Sequence, residues 1–153
     1  MKKVNTQLHI PLIVMDTNVL ISGLCRYKNS PSYRILKSVQ EGITPLALNQ
    51  KLFLEYESVL CREEIQQLIK ATPEEIKMIL DALLAIARES EPYYMWRPNL
   101  KDEADNFILE AAISTSAILV TKNLKDFVSG ELKFPELIIM TPDEFCKHYL
   151  EDK

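Results

Sequence analysis

Carboxylates are the side chains of this sequence best suited to chemistry. Among its 153 residues are 22 Asp and Glu, but only two His and three Cys, and no two Cys form a CxxC pair. A metal site of several histidines is therefore excluded, and a disulfide framework, a zinc ribbon and a Ser-His-Asp triad are disfavoured. Three Gly cannot compose a Gly-rich loop of the kind that binds nucleotide phosphates.

Two of the acids follow short apolar segments. Leu12–Met15 ends at Asp16, and Ala117–Val120 is followed first by Thr121 and then by Asp126. Continuous apolar runs of this length are typical of strands buried on both faces of a parallel sheet. Functional groups on such sheets lie at the carboxyl ends of the strands, so we expect these side chains at one common edge.

Two further acids lie on predicted helices, and their spacing directs them inward. Asp105 shares a helix face with Ile108 and Ala112, at spacings of three and seven residues. Glu55 is in line with Val59 on an earlier helix. Both acids are therefore expected to face the sheet and not solvent.

Each acid also has an ordinary structural explanation when it is considered alone. Asp16 could cap a helix, Asp105 could belong to a capping box and Asp126 could stabilise a turn. Glu55 could lie on a solvated helix face. Considered together, however, four carboxylates at one edge repel one another, and they are tolerated only if some are protonated or a cation neutralises them. Oxygen ligands without His or Cys select hard ions, here Mg²⁺ or Mn²⁺.

Basic residues are concentrated early in the chain. The net charge is −4, which on its own disfavours nucleic acid as a partner, yet residues 1–50 carry six Lys or Arg against two Asp or Glu. Four of these basic residues follow Asp16: Arg26, Lys28, Arg34 and Lys37. They form either a solvated helix face or a rim that contacts phosphates.

The order of the elements predicts the fold class. Strands alternate with helices, which indicates a three-layer α/β/α sandwich around a mostly parallel sheet of four to five strands. Further strands are predicted at Ile43–Leu48, Pro92–Trp96 and Leu137–Met140, and helix starts at Ser30, Asn49, Thr72, Asp102 and Thr141. We expect residues 1–153 to form a single domain. No apolar run approaches the length of a membrane span, so a cytoplasmic protein is expected.

Four segments of the chain resemble the signature segments of the PIN-domain family and occur in the family's order. They are VMDTNVLISGL (14–24), FLEYESVL (53–60), DEADNFILEAA (102–112) and ILVTKNLKDF (118–127). The resemblance is closest to the subgroup of toxins from bacterial toxin–antitoxin pairs. It implies a PIN-like α/β/α fold and a metal-dependent ribonuclease that uses Mg²⁺ or Mn²⁺.

The resemblance also assigns roles by position. It implies an acidic quartet of catalytic residues: Asp16, Glu55, Asp105 and Asp126. Three of these would hold the metal, namely Asp16, Asp105 and Asp126. Thr121 matches the hydroxyl beside the site, and Asn18 matches the amide that braces the first loop.

One position departs from the family pattern, because Asn123 stands where many members have a second Asp. This departure leaves the number of metal ions open. The partners that the resemblance implies are an RNA substrate, a small antitoxin that covers the acidic cleft, and a second copy of the chain in a homodimer. No membrane contact is expected.

Two other classes of function are compatible with parts of the sequence. A PIN fold without activity could serve as a docking module for protein or RNA, although an abandoned cation site has no reason to keep mutually repelling acids. A phosphoaspartyl enzyme or a receiver domain also places Asp and Thr after strands. However, a phosphoaspartyl enzyme needs a second Asp at position 18, where this chain has Asn18. A receiver domain needs an acceptor Asp after a middle strand, but the predicted strand Ile43–Leu48 is followed by Asn49.

Overall fold

The strands of the computed structural model are all parallel. The structure describes residues 10–25, 30–89, 117–124 and 138–151, and every statement below concerns these residues. Five strands lie within these ranges: β1 (Ile13–Met15), β2 (Ala47–Leu48), β3 (Arg88–Glu89), β4 (Ile118–Val120) and β5 (Ile139–Met140). β4 lies between β1 and β5, and β2 pairs with β3. An isolated parallel bridge between Ile13 and Leu46 connects the two groups.

Helices flank this parallel sheet, which confirms the predicted α/β architecture. In chain order they are α1 (Thr17–Leu24), α2 (Pro31–Gln40), α3 (Gln50–Leu60), α4 (Glu63–Ile69), α5 (Pro73–Ile86) and α6 (Pro142–Phe145). A π-helical turn, Cys146–Leu150, continues α6. None of the helices in the described ranges combines the length and the apolar character needed to cross a membrane.

Most helices begin where the sequence predicts, because polar caps satisfy their first N–H groups. The side chains of Ser30, Asn49, Thr72 and Thr141 each accept a hydrogen bond from a backbone N–H of the first turn. At Thr72 and Thr141 the bond is part of a reciprocal capping box with a Glu three residues later. The predicted helix start at Asp102 and the predicted strand at Pro92–Trp96 lie outside the described residues.

Two elements differ from what the sequence pattern indicates. No helix was predicted between Asp16 and Ser30, although Asp16 was recognised as a possible helix cap, yet α1 begins directly after Asp16. Packing of Val19, Leu20 and Leu24 in the core stabilises this helix, since the segment has only modest helix propensity. The sequence pattern that begins at Thr72 predicts a helix to about Ser90, but α5 ends at Ile86. There the backbone becomes extended and β3 pairs with β2, so sheet pairing outweighs helix propensity.

The hydrophobic core lies between the sheet and the helices. β1, β2 and β4 are buried along their full lengths. The largest fully buried side chains include Tyr56 of α3 and Phe145 of α6. α1 and α2 lie close together at Gly23, where a Cβ atom would lie 2.9 Å from the Ser32 carbonyl oxygen and 3.1 Å from the Leu36 Cβ. A side chain at position 23 would therefore force these helices apart.

This close approach makes the Gly23→Ala variant a test of the packing. We expect the added methyl group to lower the free energy of unfolding by about 2 kcal/mol, because the nearest atom belongs to the backbone and cannot rotate away. The matched control is Gly42→Ala, where φ is +79° but no atom lies within 4 Å of the added carbon. Its expected cost is about 1 kcal/mol, from backbone strain alone. Urea unfolding measures both variants, and equal costs would contradict the packing argument.

Candidate functional site

The pairing of β1 with β4 brings together the first residues beyond these two strands. Met15 is paired with Val120, and the Asp16 N–H donates to the Val120 carbonyl oxygen over 2.9 Å. The Thr121 hydroxyl, which is fully buried, then donates to Asp16 Oδ2 over 2.6 Å. Asp16 and Thr121, which are 105 positions apart in the chain, are thus in direct contact at the carboxyl edge of the sheet.

Three donors from the described residues orient the Asp16 carboxylate. Oδ1 accepts from the Thr17 N–H over 2.7 Å, whereas Oδ2 accepts from the Asn18 amide over 3.2 Å as well as from Thr121. The bond from Thr17 makes Asp16 the N-cap of α1, so the capping explanation holds. Since Asp16 is only 7% exposed, the carboxylate has little freedom to reorient. Asp16 therefore both caps α1 and lies at the carboxyl edge of the sheet.

Asn18 joins the ends of both strands. It was expected to brace a loop, but it lies in the first turn of α1. Its amide nitrogen donates to Asp16 Oδ2, and its Oδ1 accepts from the Lys122 N–H over 3.2 Å. Thr121 Oγ1 also accepts from the Asn123 N–H over 3.0 Å. The turn after β4 is thereby held against the first turn of α1.

A buried tyrosine contacts the backbone just before Asp16. Tyr56 of α3 donates its hydroxyl hydrogen to the carbonyl oxygen of Met15, the residue just before Asp16, over 2.5 Å. Burial raises the pKa of Tyr56 far above its usual range, and the negative charges of Asp16 and then Glu55 raise it further. Glu55, which precedes Tyr56 on α3, is half-buried.

The structure describes only part of the predicted site. The predicted ligands Asp105 and Asp126 and the predicted RNA contacts Arg26 and Lys28 lie outside the described residues. Arg34 is described, and its guanidinium donates to the Leu150 carbonyl oxygen over 3.4 Å and lies 3.7 Å from a carboxylate oxygen of Glu151. Lys37 is exposed on α2.

The groups around Asp16 suit a hard cation. Among the described residues no group of three His, Cys, Asp or Glu could hold a metal ion by itself, since only two acids of the predicted quartet are among them. Beside Asp16, the buried Thr17 hydroxyl has no hydrogen-bond partner in the described part of the chain. The polar side-chain atoms around Asp16 are oxygens and one amide nitrogen, and carboxylate oxygen is the ligand that Mg²⁺ and Mn²⁺ prefer.

Comparison with known proteins identifies the family of this chain. A family model for the PIN domain matches residues 12–125, well over half of the chain. The chain belongs to the PIN domain family. The match includes Asp16, Glu55, Asp105 and Thr121 and ends one residue before Asp126.

A solved structure shows the same fold as this PIN domain. It is a chain in the crystal structure of VapBC2 from Rickettsia felis, which was solved bound to a DNA fragment from the VapBC2 promoter. The two chains are 18% identical, with a TM-score of 0.53 over 85% of this chain and 98% of the other. A search of curated proteins returns no match.

Sequence reasoning missed two residues of the PIN site. Tyr56 lies four residues from both Leu52 and Leu60, a spacing that predicts its burial but not its contact with Met15. Lys122 directly follows Thr121, and its ammonium group donates to the Ser22 hydroxyl over 2.8 Å. Only the position of Lys122 directly after Thr121 in the sequence could have indicated that it lies near the site.

Removing the Tyr56 hydroxyl tests whether it supports the end of β1. We expect Tyr56→Phe to lower the free energy of unfolding by about 2 kcal/mol, because the buried Met15 carbonyl loses its donor. The pKa of Tyr56 is raised in the folded state. The stabilisation is therefore complete below the unfolded value of 10 and is lost as pH rises above it.

The pH dependence provides a second measurement of the same variant. Unfolding followed across the alkaline range should show a smaller loss of stability for Tyr56→Phe than for the unsubstituted chain, because the variant has no phenol to ionise at this position. Tyr149→Phe, on the π-helical turn, is the matched control: it removes a phenol but leaves the Tyr56 hydroxyl and its bond to Met15 in place, so the alkaline loss that is due to Tyr56 should remain. Identical alkaline profiles for all three proteins would show that Tyr56 is not held in its neutral form.

Proposed function

We propose that this PIN domain is a Mg²⁺- or Mn²⁺-dependent endoribonuclease that acts on RNA in the cytoplasm, as the toxin of a toxin–antitoxin pair. The observation that carries the proposal is the Asp16 carboxylate, which is buried at the carboxyl edge of a parallel sheet and oriented by three donors. Edges of this kind are where α/β proteins bind their ligands.

The cation would be held by Asp16 together with Asp105 and Asp126. When bound, it lowers the pKa of a coordinated water and stabilises negative charge on phosphate oxygens. Glu55, whose charge acts on the same buried phenol as that of Asp16, would complete the anionic ring or orient the water that attacks the phosphodiester. This arrangement requires no histidine as a general base, which is consistent with a chain that has only His9 and His148.

The residues around Asp16 keep the carboxylate in a fixed position. Thr121 and Asn18 both donate to Asp16 Oδ2, so the carboxylate does not have to reorganise when substrate arrives. Tyr56 holds the preceding carbonyl group, and hence the backbone from which Asp16 projects. Supporting hydrogen bonds of this kind maintain the geometry that catalytic groups need.

RNA would contact the basic residues that follow Asp16. Arg26, Lys28, Arg34 and Lys37 remain the proposed phosphate contacts. Arg34 is already engaged by Leu150 and Glu151. Lys37 is exposed and has no ion pair within the described ranges, so its charge is available to a phosphate.

Two observations favour partners of toxin–antitoxin type. The solved chain with the same fold comes from VapBC2, whose structure contains a DNA fragment from their promoter, and a complex on its own promoter is consistent with such a pair. α5 also leaves Met78, Leu84 and Ile86 exposed, and apolar side chains of this kind suit a protein interface. We therefore include a small antitoxin and a homodimer in the proposal.

The Asp16→Asn variant tests the nuclease proposal. We expect it to lower the rate of RNA cleavage by more than about 100-fold, because loss of a direct metal ligand should cost at least as much as loss of an outer-shell partner. The fold should persist, since Asn is also a good N-cap. Cleavage of a labelled single-stranded RNA at matched Mn²⁺ concentration measures the rate, and circular dichroism checks the fold.

Asp81→Asn is the matched control for this experiment. Asp81 is exposed on α5, where it pairs with Lys77, so the same chemical change should leave cleavage unaffected. The nuclease proposal would be abandoned if Asp16→Asn cleaved RNA as fast as the control. It would equally be abandoned if the unsubstituted chain cleaved no RNA with either metal.

A further inference from the structure

A small cavity lies where side chains of α1, α2 and α5 meet. Its volume is about 260 Å³, just below the range of about 300–1,000 Å³ that holds drug-sized ligands. Apolar side chains of all three helices and polar side chains of α2 line it: Leu24, Leu36, Ile79, Tyr33, Lys37 and Gln40. We refer to it as the α2 cavity. Its size suits a single small ring system, and its mixed wall suits a ring with polar edges.

The polar groups of the α2 cavity come from one face of α2. Tyr33, Lys37 and Gln40 are separated by four and then by three residues, a spacing that makes them neighbours on a helix surface. In the described part of the chain, none of these three side chains has a hydrogen-bond or ion-pair partner. A phenol ring, an ammonium group and an amide are therefore available to a ligand in one place.

This combination of groups matches a nucleotide of single-stranded RNA. Aromatic side chains stack on unpaired bases, and such stacking is a main source of affinity for single strands. An amide side chain carries both a donor and an acceptor, as the edges of bases do. An ammonium group pairs with phosphate as a point charge. The aliphatic side chains of the wall suit the flat, apolar faces of a base.

The position of the α2 cavity fits a strand that also reaches Asp16. Asp16 caps α1 and Leu24 is the last of its eight residues, so the helix between them is about 12 Å long. A stacked strand rises about 3.4 Å per nucleotide, so roughly three to four nucleotides span this length.

The charge around the α2 cavity also favours a polyanion. Residues 1–50, which include α2, carry six Lys or Arg against two Asp or Glu. None of the described residues that line the cavity is acidic, and Lys37 is exposed there. An RNA strand that enters the cavity therefore meets positive charge without a carboxylate in the wall to repel it.

We propose that the α2 cavity binds one base of the RNA substrate, a few nucleotides away from the phosphate at Asp16. The inference rests on the proposed ribonuclease function and adds a base-binding site to it. Tyr33 stacks on the base, the Gln40 amide hydrogen-bonds with its edge, and the Lys37 ammonium contacts the phosphate of the same nucleotide.

RNA with and without its bases tests the proposal independently of cleavage. The protein carries Asp16→Asn so that the RNA remains intact. The anisotropy of a short fluorescein-labelled single-stranded RNA is compared with that of an abasic strand of the same length and charge. Tyr33→Ala should weaken binding of the ordinary RNA about tenfold, because one stacking contact is lost. Binding of the abasic strand should not change, since that strand has no base to stack.

Tyr33→Phe is the matched control, because it keeps the ring and removes only the hydroxyl. It should bind the ordinary RNA as tightly as the chain with Tyr33. The proposal is overturned if Tyr33→Ala weakens both strands equally, which would assign Tyr33 a structural role, or if it weakens neither.

Two further variants test the α2 cavity at exposed positions, where substitution does not disturb the core. Gln40→Ala should weaken the ordinary RNA about threefold without changing the salt slope, and should leave the abasic strand unaffected. Lys37→Met should weaken both strands and lower the salt slope by about 0.7, because one phosphate contact is lost. Lys77→Met removes the same charge on α5, outside the cavity. The proposal is overturned if both cavity variants bind RNA like this control.

Cleavage by the chain that keeps Asp16 separates the two proposals. Absence of cleavage together with the expected binding changes would overturn the nuclease proposal alone. Normal cleavage together with unchanged RNA binding in the cavity variants would overturn the α2-cavity proposal alone. The second result is also the one expected if the cavity holds a side chain of a protein partner.

Discussion

The parallel register of β1 against β4 determines how Asp16, Asn18 and Thr121 meet. Because Met15 is paired with Val120, Asp16 and Thr121 leave the sheet at the same height and form a short hydrogen bond. Asn18 and the backbone of Lys122 then connect the same two chain segments a second time. A shift of one residue in this pairing would turn the side chains of one strand to the opposite face of the sheet and break these hydrogen bonds.

Burial of Asp16 at this edge has an electrostatic cost that the rest of the site must offset. A carboxylate with little exposure is stable only when hydrogen bonds or an opposite charge compensate for its lost hydration. Thr17, Asn18 and Thr121 supply the hydrogen bonds. Burial raises the pKa of the neighbouring Tyr56, and the charges of Asp16 and then Glu55 raise it further, so a further negative charge is disfavoured at that position. In our proposal a divalent cation supplies the opposite charge.

The sequence was sufficient to predict the parallel fold and the meeting of Asp16 with Thr121. Both follow from local information: apolar runs mark the strands, and capping residues mark the helix starts. Tyr56 and Lys122 could not be assigned in this way, because the partners Met15 and Ser22 lie 41 and 100 positions away in the chain. α1 was missed because its stability comes from core packing and not from helix propensity. The convergence of Asp105 and Asp126 on Asp16, and the single-domain organisation, remain predictions.

The central claim is that acids distant in sequence share one divalent cation at the edge of the sheet. Anomalous diffraction from crystals grown with Mn²⁺ tests it most directly, because the signal locates the ion without reference to activity. We expect a peak at bonding distance from an Asp16 carboxylate oxygen, with Asp105 and Asp126 around the same ion. A map without a peak at Asp16, in which Asp105 and Asp126 are paired with Lys or Arg, would contradict the account.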